Sequence, residues 1–293
     1  MKTIVVGFNA SGEARDALAL GEQLRKAVEG RLIVAVVDEF HIAYDYPAVS
    51  PELHEDFHKL VFAEAAEALG RDDFERCTAL GSAPRGLIEI ADGVDADAIV
   101  VGSTSRGALG RVLPGSVGER LLAGARCSVL VAPLGYAGEP QGRITTIGIA
   151  YDGGAESRHA LEVAGDLATT LDATLQIITV SPPVQVPVAV PDEITVLPPD
   201  YAQTLRKHFD RQLEDAVGAV RGKVGVEPVL IEGDPVESLV EQSDELDLLV
   251  LGSRGYGPIR RVLLGGVSAA VVRGSACPVM IVPRSAEADA AEA

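Results

Sequence analysis

Residues 101–116, VGSTSRGALGRVLPGS, return as residues 251–266, LGSRGYGPIRRVLLGG, with Gly102 and Gly252 standing 150 positions apart. Each copy leaves an apolar run (98–101, 248–251), crosses a loop of Gly, Ser and Arg, and enters a helix near Gly115 and Ser116 or Gly265 and Gly266. A turn of that kind aims backbone N–H groups at an anion, so the chemistry on offer is phosphate binding. Gly252 and Gly255 allow close approach of the backbone to the ligand and positive φ at little steric cost. Arg106, Arg111, Arg254, Arg260 and Arg261 read either as local positive charge for that anion or as solvated helix arginines. Ser116 with Glu119 spells S-x-x-E, a capping box that would stabilise a helix with no ligand present.

Other chemistry is thin. His54-Glu55-Asp56-Phe57-His58 has the H-E-x-x-H spacing of a zinc hydrolase, but it lies in the polar lead-in to a helix and has no counterpart in the second copy. We therefore read His54 and His58 as chance surface residues, like His159 and His208, and assign no metal site. No G-x-x-x-x-G-K-[S/T] loop and no Ser/His/Asp or Cys/His grouping is present, so no residue is assigned a catalytic role. Cys77, Cys127 and Cys277 form no CxxC or zinc-type spacing, and buried, reduced thiols are expected.

The elements that must position these loops repeat as well. Five apolar strands are expected in each half, at 3–7, 32–37, 74–80, 98–101 and 128–132, then at 146–150, 175–180, 227–232, 248–251 and 278–282. Helical patterns such as 60–69 and 205–220 separate them, and a βαβα order with near-continuous apolar strands means a parallel sheet covered on both faces. The chain divides into a first unit (1–137), a linker (138–142), a second unit (143–284) and an acidic tail (285–293) expected to be disordered. The Gly- and Pro-containing stretch 135–142, GYAGEPQG, is expected to stop regular structure, and its shortness brings the units into contact. The uncharged fifth strands, CSVLVAP and CPVMIVP, would attract other chains at an open sheet edge and are expected to cover one another.

These residues resemble the universal stress protein family, as a tandem member, across nearly the whole chain. The family signature is G-x-x-G, nine residues, then G-[S/T], with an Asp closing the first strand. Gly252, Gly255, Gly265 and Asp152 fit it, while Gly266 stands where Ser or Thr is expected. Gly102, Gly115 and Ser116 fit it in the first unit, where Ser105 replaces the second Gly and Asn9 the Asp. The resemblance implies two tandem doubly wound, Rossmann-like α/β domains, each with a five-stranded parallel sheet of order 3-2-1-4-5 and a ligand crevice outside the strand ends. It implies a site for ATP or another adenine nucleotide, with or without Mg, made in the second unit by Asp152, Val180, Gly252, Arg254, Gly255, Gly265, Gly266, Val267 and Ser268. The matching first-unit residues are Asn9, Val37, Gly102, Thr104, Gly115, Ser116 and Val117. Pairing of units through their fifth strands, and association of two chains, follow from the same resemblance.

A net charge of −18 opposes a nucleic-acid partner. Nowhere does the 47% hydrophobic content form the run of roughly 18 apolar residues that a membrane span needs, and charges come too early for a signal-peptide core. A cytoplasmic protein is expected. The favoured reading is a nucleotide-binding stress or regulatory protein whose better site is the second; an interaction scaffold without nucleotide and a slow ATPase are the alternatives.

Overall fold

In the strand Thr3–Gly7 (β1), Ile4 and Val6 enter one apolar cluster and Val5 the other, so β1 is buried on both faces. This computed structural model describes residues 1–39, 51–104, 110–140, 142–183, 201–220, 222, 224–253 and 265–283. After β1 come α1 (Gly12–Val28), β2 (Arg31–Asp38), α2 (Pro51–Leu69), β3 (Glu75–Leu80), α3 (Ala83–Gly93), β4 (Ala98–Gly102), α4 (Ser116–Leu122) and β5 (Ser128–Ala132). The second unit repeats the order as β6 (Thr146–Ala150), α5 (Ala155–Leu171), β7 (Thr174–Ser181), α6 (Tyr201–Val220), β8 (Val226–Glu232), α7 (Pro235–Gln242), β9 (Leu248–Gly252), α8 (Gly266–Val272) and β10 (Val279–Val282).

The strands run in the order β3-β2-β1-β4-β5-β10-β9-β6-β7-β8. Each unit is thus a parallel sheet of order 3-2-1-4-5, but the two sheets are halves of one. They join where β5 and β10 pair antiparallel, with Met280 opposite Leu130 and Val279 opposite Val131. This pairing uses the two uncharged strands that would otherwise be open edges. The edges that remain, β3 and β8, carry charge and proline: Glu75 is bonded to Arg31 at 2.7 Å, and Pro228 lies in β8.

Repeated polar contacts set the frame. The Asp97 carboxylate accepts the Lys2 and Thr3 N–H groups at 2.5 and 2.8 Å, and the Asp247 carboxylate accepts those of Thr145 and Thr146 at 2.7 and 3.0 Å. In both units, therefore, an acid just before the fourth strand fixes the start of the first. Ser11 caps α1 by accepting the Ala14 N–H at 3.2 Å, and Glu29, at φ 50°, ends the helix in the left-handed region with Gly30 N–H returning to Arg25 O at 2.9 Å.

The connection between units is more ordered than its composition suggests. Tyr136–Gly138 forms a single 3-10 turn. Asp16 of α1, 3% exposed, accepts the Gly135 and Ala137 N–H groups at 2.8 Å each, and Tyr136 donates its hydroxyl to Gln23 at 2.5 Å. Side-chain acceptors on a neighbouring helix have overridden local Gly/Pro propensity. Asp16→Ala is expected to cost about 2–4 kcal/mol in urea denaturation, because it removes two charge-assisted hydrogen bonds and leaves two amides to find new partners. Asp16→Asn should lose less; a cost below about 0.5 kcal/mol for Asp16→Ala would show that the turn holds itself.

Candidate functional site

In each half the sheet reverses its winding between the first and fourth strands. After β1 the chain enters α1 on one face, and after β4 it enters α4 on the other, where Leu121 and Leu122 are buried. Such a switch point leaves a crevice beyond the strand ends. In the first unit that crevice is a cavity of about 860 Å3. Asn9, Val37, Gly102, Thr104, Gly115, Ser116 and Val117 all line it. Val37, Ala35 and Leu87 supply an apolar wall, and Thr104, Gly115 and Ser116 line the cavity from the loop side.

Several residues take roles that their spacing did not reveal. A Cβ on Gly102 would lie 1.9 Å from the Glu13 carbonyl oxygen, and one on Gly252 2.8 Å from that of Glu156. Both glycines therefore admit the first turn of the helix that follows the first strand of their unit, α1 or α5, against the end of the fourth strand, whatever else approaches them. The capping box is not formed: Gly115 is the N-cap of α4, Ser116 is already inside the helix, and no side chain caps the end. Helix α8 starts the same way from Gly265, with Ser268 donating its hydroxyl to Gly252 O at 3.4 Å. Asn9 Oδ1 accepts the Ser11 N–H at 3.2 Å, while Asp152 Oδ1 accepts the Gly154 N–H at 2.9 Å and the Ser157 hydroxyl at 2.7 Å. Each orders the turn into its helix.

Spacing did not single out Ser103. Its buried hydroxyl donates to Ala132 O at 2.7 Å and accepts the Leu113 N–H at 3.0 Å, folding the far end of the loop back onto β4. The available signal was its identity in both copies, as Ser103 and Ser253. Arg111 does not line the cavity but turns to Asp244 of the second unit, 3.1 Å away. In the second unit Asp152 lies on the exposed turn after β6, Val180 is half-buried in β7, and Gly266 to Ser268 form the first turn of α8, with Val267 exposed. Arg254 and Gly255, with Ser105, Arg106, Arg260, Arg261 and the acidic tail, lie outside the described residues.

Two of the histidines read as surface residues are not: His208 is exposed as expected and His159 partly so, but His54 and His58 are largely covered. His54 and His58, one helical turn apart on α2, have side chains only 15% and 18% exposed, and both point to the buried Asp38 carboxylate that ends β2. His54 Nδ1 is hydrogen-bonded to it, and His58 Nε2 lies 3.8 Å from the same oxygen. A buried carboxylate needs a hydrogen-bond partner, and His54 supplies one, while His58 Nε2 stays beyond hydrogen-bond reach. Among the described residues no group of three or more His, Cys, Asp or Glu side chains is placed to hold a metal ion. Cys277 is buried, whereas Cys77 and Cys127 are only partly so. Burial pushes the Cys277 thiol up to about 12 and the Cys127 thiol to about 11, and it raises Cys77. None supplies a thiolate near neutral pH.

The sequence profile of the universal stress protein family matches residues 1–133 and again 143–283. The chain belongs to the universal stress protein family. A universal stress protein of Mycobacterium tuberculosis is 27% identical over 301 residues, which span 96% of this chain and 99% of the relative. One from Bacillus subtilis is 30% identical over 141 residues, 46% of this chain and 95% of its own. The crystal structure of a universal stress protein from Archaeoglobus fulgidus superposes with a TM-score of 0.70 at 21% identity, covering 97% of this chain and 98% of that one. That likeness is one of fold. Among the described residues no helix of this universal stress protein is long and apolar enough to cross a membrane.

Proposed function

We propose that this universal stress protein binds an adenine nucleotide at the strand-end crevice of each unit and acts by binding rather than turnover. The observation that carries the reading is the first-unit cavity, about 860 Å3 with one apolar wall and, on the loop side, Thr104 and Gly115 to Val117, a size and polarity suited to a nucleotide. The base lies against Val37, and the phosphates meet Thr104 and Gly115 to Val117; the residues at the corresponding positions of the second unit are Val180, Gly252 and Gly265 to Ser268, with Arg254 and Gly255 of its loop. Among the described lining residues the charged groups are two carboxylates, Glu13 and Glu119, which makes Mg a natural companion of ATP there. With no lysine in either loop and no paired acid and base among the described residues that line the cavity, hydrolysis is not part of the proposal.

One observation favours an interaction scaffold instead. Asn9 and Asp152 already serve the turns that follow them, so neither needs a ligand to explain its presence. Isothermal titration of nucleotide-free protein with ATP, ADP and cyclic AMP separates the readings. Micromolar binding of at least one is expected, and silence up to millimolar ligand for all three would leave the scaffold. Asp152→Ala is expected to lose more of the ATP heat than Asn9→Ala, since a carboxylate accepts from ribose hydroxyls more strongly than an amide. Equal losses would show the second unit to have no advantage.

A further inference from the structure

The segment 110–116, whose last four residues line the first cavity, is held from two sides. Its own unit holds it through Ser103 and through the Thr104 N–H, which donates to Leu113 O at 2.7 Å. The second unit holds the adjoining residues. The Val112 N–H donates to Ser275 O at 2.8 Å, and the Arg111 guanidinium donates to Gly274 O at 3.3 Å while pairing with Asp244 at 3.1 Å. Gly274 and Ser275 follow α8, and Asp244 follows α7, so the anchor is the folded body of the other unit. Val112 is fully buried at this contact.

The arginine is repeated in the sequence, as Arg261, but the acid is not. Position 94, which matches Asp244 at the spacing of 150 that relates Gly102 to Gly252, is Val94. The acid at that position is therefore not shared by the two units. Leu113, Pro114, Gly115 and Ser116 line the cavity immediately after the clamped residues, so a shift at Arg111 and Val112 displaces the wall that faces the ligand.

We propose that Arg111 and Asp244 are positioning residues for the first cavity, through which the second unit fixes the loop wall and thereby sets the first unit's affinity for nucleotide phosphates. This rests on the nucleotide reading above. Neither residue touches the ligand; each acts through the backbone of residues 112–116.

The test uses the full-length chain with ATP as the probe, read by titration calorimetry and by hydrogen exchange over residues 110–116. In the wild type ATP should slow exchange there. Asp244→Ala and Arg111→Ala should each weaken binding by about two- to fivefold, the range of one partly exposed ion pair, and reduce that protection. The charge-exchanged protein, Arg111→Asp with Asp244→Arg, should recover affinity to within about twofold, whereas either reversal alone should not. A purely structural role would move the melting temperature without this pattern of rescue. Should Asp244→Ala fold poorly, Asp244→Asn takes its place. Binding and protection like the wild type's in Asp244→Ala or Asp244→Asn would overturn the clamp and leave the nucleotide reading standing. No ATP heat and no protection in the wild type would remove both.

Discussion

Gly102→Ala is expected to cost about 3 kcal/mol or more and to take the first cavity with it, although only a methyl group is added. The Cβ would fall 1.9 Å from the Glu13 carbonyl oxygen and 2.6 Å from its carbonyl carbon. These are backbone atoms in the first turn of α1, so no side-chain rotation relieves the overlap. Either α1 lifts from β4, exposing Leu18 and Ala17, or β4 shifts against β1, where Val6 pairs with Val100. Both movements open the wall that carries Asn9 and Ser11. Gly252→Ala should do less, because its nearest contact, the Glu156 carbonyl oxygen, is 2.8 Å away and a few tenths of an ångström of adjustment suffice. Gly12→Ala is the control, with nothing within 4 Å of the new methyl group. Urea denaturation should rank the losses as Gly102→Ala, then Gly252→Ala, with Gly12→Ala near zero. Equal small losses at Gly102 and Gly252 would return both glycines to the role their motif suggests, close approach to a ligand.

That reassignment marks where reading the sequence runs out. The alternation of apolar strands and helices placed all ten strands: burial on both faces leaves a continuous signal along the inner ones, and for the largely exposed edge strands β3 and β8 the duplication supplied a second reading. The seven first-unit residues nominated for the crevice line one cavity because strand ends and helix starts are local features, and a switch point gathers them. What was not legible depends on one polar atom meeting another far along the chain. Asp38 binds His54 from another element, with His58 beside it, and nothing in H-E-x-x-H announces that partner. Asp16 holds the connecting turn from 119 positions away, and Arg111 reaches Gly274 across 163. Such contacts carry no period. S-x-x-E misled for a different reason: the pattern is satisfied at Ser116, but the chain entered the helix one residue earlier, with Gly115 in the extended conformation that a cap requires.

Leu130→Asp is expected to unfold both units together rather than loosen one. Leu130 and its partner Met280 are each 0% exposed, lie opposite one another at the centre of the β5–β10 seam, and belong to the apolar cluster that runs through both halves on one face of the sheet. A carboxylate there has no described cation beside it and would be buried without a partner, which costs roughly 4 kcal/mol or more, a large share of the roughly 5–15 kcal/mol that holds a protein folded. The seam is the only place where the two sheets exchange backbone hydrogen bonds among the described residues, and the turn held by Asp16 adds a covalent tie beside it. Once β5 leaves, β10 presents an unpaired apolar edge, so the second unit loses its cover at the same moment. Hydrogen exchange over β4 and β9 is the measurement, since each strand lies in its own unit next to the seam. Both should lose protection in Leu130→Asp, and in the milder Leu130→Ala, expected to cost about 2–5 kcal/mol, both should weaken by the same factor. Full protection of β9 in a protein whose β4 exchanges freely would mean that the units fold independently and that the ten-stranded sheet is a contact rather than a single cooperative structure.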